Sequence, residues 1–213
     1  MGQRLINALR TVTFVVIDFE YTTPTGAAPE PIEIAVQALR VHEGKLERTR
    51  GWEALMCPPQ HAQLTTFDTA QTGITPAMLA DQPCAGEVLA TLDRRFTVGP
   101  YVLVAHHAPA EARILSAYRE HCPTLARIDL IDTVRLARDL YSELPKHGLD
   151  ELLRHLKIPS PPNRHRAMAD VQLTTELFIR MVTDSDWGDL RQLRGLAGYA
   201  AEAAQPQQVA LFS

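Results

Sequence analysis

Residues 11–20 read Thr-Val-Thr-Phe-Val-Val-Ile-Asp-Phe-Glu, and this stretch decides the fold. Its β-branched and aromatic residues predict a strand. The turn-forming residues 23–26, Thr-Pro-Thr-Gly, predict a hairpin with a second strand over 31–40. A further turn at Glu43 and Gly44 predicts a third antiparallel strand over 46–56. The first part of the chain is therefore predicted to form an antiparallel meander.

The later sequence alternates helical and strand patterns. A short apolar run at 101–105 predicts a buried parallel strand, and residues 128–131 predict another strand. Apolar side chains at helical spacing predict helices over 86–96, 109–121, 132–141 and 149–156, and a long helix that carries residues 171–181. Hairpins first and strand–helix alternation later predict an α/β fold in which helices flank a mixed β-sheet.

The composition is that of a globular domain with an appendage. Among 213 residues, three cysteines lie far apart without a CxxC pair, so neither a zinc ribbon nor a disulfide framework is expected. The net charge of -4 argues against a generic basic nucleic-acid binder. A phosphate-handling protein of this charge would need bound cations or a local basic patch. Because neither a membrane span nor a secretory leader is evident, we expect a cytoplasmic protein that does not associate with membranes.

Acidic side chains are grouped at the end of the first strand. Asp18 and Glu20 stand two residues apart, which places both carboxylates on one face of the strand, about 7 Å apart. Hard oxygen ligands in this arrangement suit magnesium or manganese better than zinc. An Asp-x-Glu pair by itself more often marks a strand end that enters solvent, so a metal site needs further acids.

Two later segments supply such acids. Glu111 is predicted in the first turns of the helix that follows His106 and His107, and Asp170 in the last long helix. His165 and Asp170 are five positions apart, which would place their side chains about 140° apart on one helix. His165 is therefore predicted to lie on the preceding loop or first turn, where a base can reach a water molecule while Asp170 binds metal.

Taken in order, five segments carry a resemblance to a known family. They are Ile17-Asp18-Phe19-Glu20, Gly73-Ile74-Thr75, Val104-Ala105-His106, Ile131-Asp132-Thr133-Val134-Arg135-Leu136-Ala137-Arg138, and His165-Arg166-Ala167 with Asp170. From about residue 14 to residue 182 the chain resembles the DEDDh exonucleases. This ribonuclease-H-like group includes the proofreading subunit of bacterial replicative polymerase, ribonuclease T and oligoribonuclease. The resemblance implies a ribonuclease-H-like mixed sheet and a 3'→5' exonuclease domain over residues 1–183.

The resemblance also implies roles for individual residues. Two divalent cations, Mg²⁺ or Mn²⁺, would be held by four acids, with Asp18 bridging both ions and a histidine activating water. The implied catalytic and metal-binding set is Asp18, Glu20, Glu111, Asp170 and His165. Phe19 and Tyr21 would stack on the terminal base, and Arg166 would meet backbone phosphates. His107 would contact substrate at the position where relatives carry Asn.

The third acid departs from the family pattern. Relatives usually show His-Asn-x-x-Phe-Asp, whereas residues 106–111 of this chain read His-His-Ala-Pro-Ala-Glu. Glu111 offers the same charge on one more methylene, so metal binding is expected to persist with altered geometry. The departure also keeps a catalytically silent nucleic-acid or clamp-binding module open as an alternative.

Residues 184–213 are predicted to form a solvated connector, one helix over 187–204 and a flexible tail. The tail residues Gln208, Val209, Leu211 and Phe212 are similar to the motif with which bacterial replication proteins dock on the sliding clamp. That similarity favours DNA 3' ends in replication or repair as the substrate. An RNA-trimming exonuclease with the same site remains the enzymatic alternative.

Overall fold

The computed structural model describes residue 6 and residues 8–26, 28–161 and 165–199, which are organised around one mixed β-sheet. Its strands are β1 (Thr13–Tyr21), β2 (Pro31–His42), β3 (Lys45–Leu55), β4 (Tyr101–Ala105), β5 (Leu130–Asp132) and β6 (Gly198–Tyr199). They run in the order β3-β2-β1-β4-β5-β6. The β1–β2, β2–β3 and β5–β6 pairs are antiparallel, and the β1–β4 and β4–β5 pairs are parallel. The predicted meander and the predicted mixed sheet are both confirmed.

Helices cover both faces of this sheet. They are α1 (Thr66–Thr72), α2 (Pro76–Leu79), α3 (Ala85–Asp93), α4 (Pro109–Ala117), α5 (Thr133–Leu140), α6 (Leu149–His155), α7 (Ala167–Asp184) and α8 (Leu190–Ala197). Asp132 caps α5 by accepting a hydrogen bond from the Val134 amide, as its position before the helix predicts. Within the part of the chain that the structure describes, no helix is both long and apolar enough to cross a bilayer.

The central strand β1 divides the interior into two cores. Phe14 and Val16 face α7, where the rings of Phe14 and Phe178 lie 5.3 Å apart between centroids. Val15, Ile17 and Phe19 face the core beneath α3 and α4. Complete burial of a side chain such as Phe14 contributes about 1.5–3 kcal/mol to folding. Because side chains alternate along a strand, Asp18 and Glu20 continue the face of Phe14 and Val16, towards α7.

The structure corrects the prediction for residues 184–199. Ser185 and Trp187 are buried rather than solvated, and the Trp187 indole donates a 3.1 Å hydrogen bond to Asp139. The predicted single helix begins only at Leu190 and ends at Ala197, because residues 198–199 form the edge strand β6. The prediction failed because backbone pairing with β5, which has no local sequence signal, competes with helix formation. The predicted tail lies outside the described residues.

Candidate active site

Three carboxylates from two distant segments meet above the end of β1. One oxygen each from Asp18, Glu20 and Asp170 lies within 4.8 Å of the others. Asp18 and Glu20 share a face of β1, and Asp170 stands in the first turn of α7, which crosses that face. Prolines 159 and 161 precede α7 and keep its start separate from α6. The three acids that the sequence analysis assigned to one site thus lie close together in the structure.

Glu111 lies on the other wall of the same cleft. It is in the first turn of α4 and only 4% exposed, and its Oε2 atom has no hydrogen-bond partner among the described residues. Burial raises the pKa of Glu111 to about 8, with a further contribution from Asp132. It stands outside the closest group of three carboxylates. A buried carboxylate oxygen without a protein partner is suited to accept a cation.

Burial and crowding also act on Asp18. Burial is the main cause that raises the pKa of Asp18 well above its ordinary value, and the negative charges of Glu111, Glu20, Asp170 and Glu33 add to it. These groups offer only oxygen donors, which suit hard divalent cations such as Mg²⁺ and Mn²⁺. The donor set and the excess negative charge fit a cation site, in which Asp18, Glu20 and Asp170 would provide ligands and Glu111 would support them.

His165 lines this cleft and lies two residues before α7 begins, on the preceding loop as predicted. Its backbone is in the left-handed region with a φ of 74°, and His107 has a φ of 76°. Left-handed backbone at a residue other than glycine is uncommon and concentrates at functional sites. The His107 amide donates a 3.2 Å hydrogen bond to Asp132, which fixes this loop against β5. Both histidines line a cleft of about 250 Å³ that also contains the four acids.

The aromatic residues beside Glu20 differ in exposure. Phe19 is 4% exposed and packs in the core beneath α3 and α4, whereas Tyr21 is 37% exposed. Both border the cleft, but only Tyr21 presents much ring surface to a stacked base. Base stacking by either residue stays a prediction, and the burial of Phe19 favours Tyr21.

Arg166 has a protein partner that the sequence did not reveal. Its guanidinium donates to both carboxylate oxygens of Glu33, with distances of 2.6–3.1 Å. The predicted contact of Arg166 with substrate phosphates remains untested, but its guanidinium is already engaged. The register of the hairpin could have pointed to Glu33 as a residue near the site, because Glu33 stands directly opposite Glu20.

Two further groups of residues around the site were also missed. Asp68 closes a capping box with Thr65 at the start of α1 and accepts hydrogen bonds from Thr23, which ties α1 to the loop after β1. The sequence Thr65-Thr66-Phe67-Asp68 carries the signature of this cap. Arg138 and His147 line a second depression that also reaches Asp18 and Asp170.

Fold and site together define the class of the protein. Ribonuclease-H-like nucleases have a mixed sheet whose central strand carries carboxylates. A helix that faces this strand carries a further carboxylate. Solved structures with this fold include the nuclease domain of 3'hExo, a DEDDh family member, bound to rAMP. Its TM-score is 0.67 at 22% identity, over 81% of this chain and 92% of that one. Exonuclease X in complex with 5' overhanging duplex DNA has a TM-score of 0.60 at 24% identity, over 86% and 98%.

Sequence comparison identifies the family. The exonuclease family model matches residues 15–178, and the chain belongs to this family, the DEDDh exonucleases. It is 33% identical over 179 residues to the PolC-type DNA polymerase III of Bacillus subtilis strain 168, covering 83% of this chain and 12% of the relative. For the PolC-type polymerase of Caldanaerobacter subterraneus subsp. tengcongensis, identity is 31% over 169 residues, covering 79% and 11%. The chain thus spans about a ninth of the length of these relatives.

The raised pKa values give a prediction for stability. Between the ordinary pKa of a glutamate, 4.5, and the value of about 8 for Glu111, the folded protein holds a proton that the unfolded chain has released. Without divalent cations, we therefore expect the free energy of unfolding to fall as pH rises through this window. Cations require ionised carboxylates, so the gain in Tm caused by Mn²⁺ is expected to grow over the same window.

Thermal unfolding measured from pH 5 to pH 9, with and without Mn²⁺, checks both trends. Glu111→Gln is the matched variant, and its stability without cations is expected to depend less on pH. A Mn²⁺ effect that stays constant across this range would contradict the cation site.

Proposed function

We propose that this protein is a two-metal-ion 3'→5' exonuclease that releases nucleoside 5'-monophosphates from DNA ends during replication or repair. The observation that carries the proposal is the convergence of Asp18, Glu20 and Asp170 within 4.8 Å in a cleft that also contains Glu111. Among the relatives are PolC-type DNA polymerases, and one structural neighbour is bound to duplex DNA. Both support a DNA substrate.

The side chains around the cleft would have different roles. Asp18, Glu20, Asp170 and Glu111 would hold Mg²⁺ or Mn²⁺, and the bound cations supply positive charge that stabilises the attacking and leaving oxygens of phosphoryl transfer. His165, which lines the cleft, accepts the proton of the attacking water. Tyr21 presents its exposed ring to the terminal base. Arg138 and His147 border the depression next to Asp18 and Asp170, where they can meet the phosphates of the strand.

Digestion of end-labelled oligonucleotides tests this function. A DNA oligomer with a 5' label, incubated with Mg²⁺ or Mn²⁺, is expected to yield a ladder shortened from its 3' end together with 5'-mononucleotides. Asp18→Ala serves as the inactive control. If the wild-type protein degrades no end with either metal, the silent binding module becomes the better interpretation.

The RNA-trimming alternative has its own support. One structural neighbour is bound to rAMP, and another is a 3'-exonuclease described as recognising a histone mRNA stem-loop. Matched DNA and RNA oligomers in the same assay separate the two substrates. Faster digestion of RNA would replace the proposed substrate and leave the proposed chemistry intact.

The tail is proposed to dock on the bacterial sliding clamp through Gln208, Val209, Leu211 and Phe212, which lie outside the described residues. Its glutamine and two large apolar side chains suit a peptide that enters an apolar groove. Removal of residues 206–213 is expected to abolish association with the clamp while exonuclease activity on free oligomers stays unchanged. Surface-bound clamp and the two forms of the protein in solution provide the measurement. Equal binding of both forms would contradict this role of the tail.

A further inference from the structure

The buried Glu33 and the partly exposed Arg166 form an ion pair next to His165. Glu33 is 2% exposed, and both of its oxygens accept hydrogen bonds from the Arg166 Nε atom, at 3.1 and 3.0 Å. The Arg166 Nη2 atom adds a 2.6 Å bond to Oε1. A planar guanidinium that meets a carboxylate in this forked manner is fixed in direction as well as position.

The same carboxylate also caps α7. Arg166 occupies the N-cap position, but its side chain makes no capping hydrogen bond. Instead, the amide of Ala167, the first residue of α7, donates a 2.9 Å bond to Glu33 Oε2. This bond satisfies one of the amides left open at the start of a helix, and a negative charge there is favourable. Glu33 of β2 therefore holds two consecutive residues of the α7 N-terminus.

These two residues adjoin His165, whose left-handed backbone, with a φ of 74°, needs support from its surroundings. Across the hairpin, Glu33 stands opposite Glu20 on the same face of the sheet. Glu33 is paired with Arg166 and is not a member of the closest group of carboxylates. Neither member of the pair lines the cleft that contains those acids, whereas His165 does.

We infer that Glu33 and Arg166 are positioning residues that fix His165 over the active-site cleft. This inference rests on the proposed function. It differs from the role that the sequence suggested for Arg166, because a phosphate ligand would act on substrate binding and would not need Glu33. A positioning pair acts on turnover, and both of its members are required.

The test is a set of variants measured on a DNA oligomer with Mn²⁺. Glu33→Gln and Arg166→Gln are each expected to lower kcat about 10- to 100-fold, as loss of a residue that orients a catalytic group does, with KM and Mn²⁺ affinity changed less than about threefold. In the His165→Ala background, Glu33→Gln is expected to lower kcat by less than about threefold, because the pair acts through His165. A role in folding alone would lower kcat equally in both backgrounds.

Arg48 and Glu176 provide a matched control, since their 2.9 Å ion pair also joins the sheet to α7, away from the cleft. Glu176→Gln is expected to leave kcat unchanged. Because Arg166 is only partly buried, Arg166→Gln keeps the test open if Glu33→Gln does not fold. A rise in KM without a fall in kcat for Arg166→Gln would overturn the inference in favour of phosphate binding, and so would full activity of Glu33→Gln. An inactive wild-type protein would instead refute the proposed function.

Discussion

Replacement of Asp18 by Asn is expected to lower exonuclease turnover by about 10³-fold or more. The negative charges of Glu20, Asp170 and Glu111 all act on Asp18 and raise its pKa. Loss of its carboxylate removes a central ligand from the cation site. Bound cations stabilise the transition state of phosphoryl transfer by several kcal/mol, and each loss of about 1.4 kcal/mol slows the reaction tenfold.

The same change is expected to raise Tm when no cation is present. Burial and four neighbouring carboxylates disfavour the charge of Asp18, and an amide of nearly the same shape relieves both effects. Activity and stability therefore change in opposite directions, as they do where an active site is held in an unfavourable state.

Steady-state digestion and thermal unfolding measure the two effects. Asp186→Asn, at an exposed position beyond α7, is the matched control and is expected to leave both values near those of the wild type. Retention of Mn²⁺-dependent activity by Asp18→Asn would exclude the proposed cation site.

His165→Ala is the second large effect that we expect, with kcat reduced about 10²- to 10⁴-fold, the usual contribution of a general base. His165 borders the cleft but is not part of the carboxylate group. KM and the stabilisation by Mn²⁺ are therefore expected to stay close to the wild-type values. This separation of turnover from cation binding distinguishes a base from a ligand.

Isothermal titration with Mn²⁺ and single-turnover digestion provide the two measurements. His42→Ala, an exposed histidine at the end of β2, controls for the loss of an imidazole. Equal losses of Mn²⁺ affinity and kcat in His165→Ala would assign His165 to the cation site and remove it from proton transfer.

The position of the site follows largely from local sequence patterns. The apolar run before Asp18 ends in an alternating pair of acids, and the period of a strand places Asp18 and Glu20 on one face. The separation of His165 from Asp170 predicted that they do not share one face of a helix, and the structure starts α7 between them. Such inferences succeed because they depend on backbone periodicity and on residues close together in the chain.

The features that the sequence did not predict have a different origin. The burial of Phe19 depends on which face of β1 receives α3 and α4, and the edge strand β6 depends on a partner, β5, that is distant in the chain. Glu111 was predicted as an acid of the site, but its unpartnered oxygen and raised pKa arise from burial between α4 and the sheet. Each of these properties depends on segments that are distant in the chain from the residue concerned.

The sequence by itself determined the types and order of most of the elements, the pair of acids on β1 and the family to which the motifs belong. Only the tertiary structure decided that Arg166 binds Glu33, a residue 133 positions away, and that Glu33 caps α7. The physical reason is that periodicity and turn chemistry act within a few residues. The partner of a charged side chain is instead set by which distant segments pack together and by how far they exclude water.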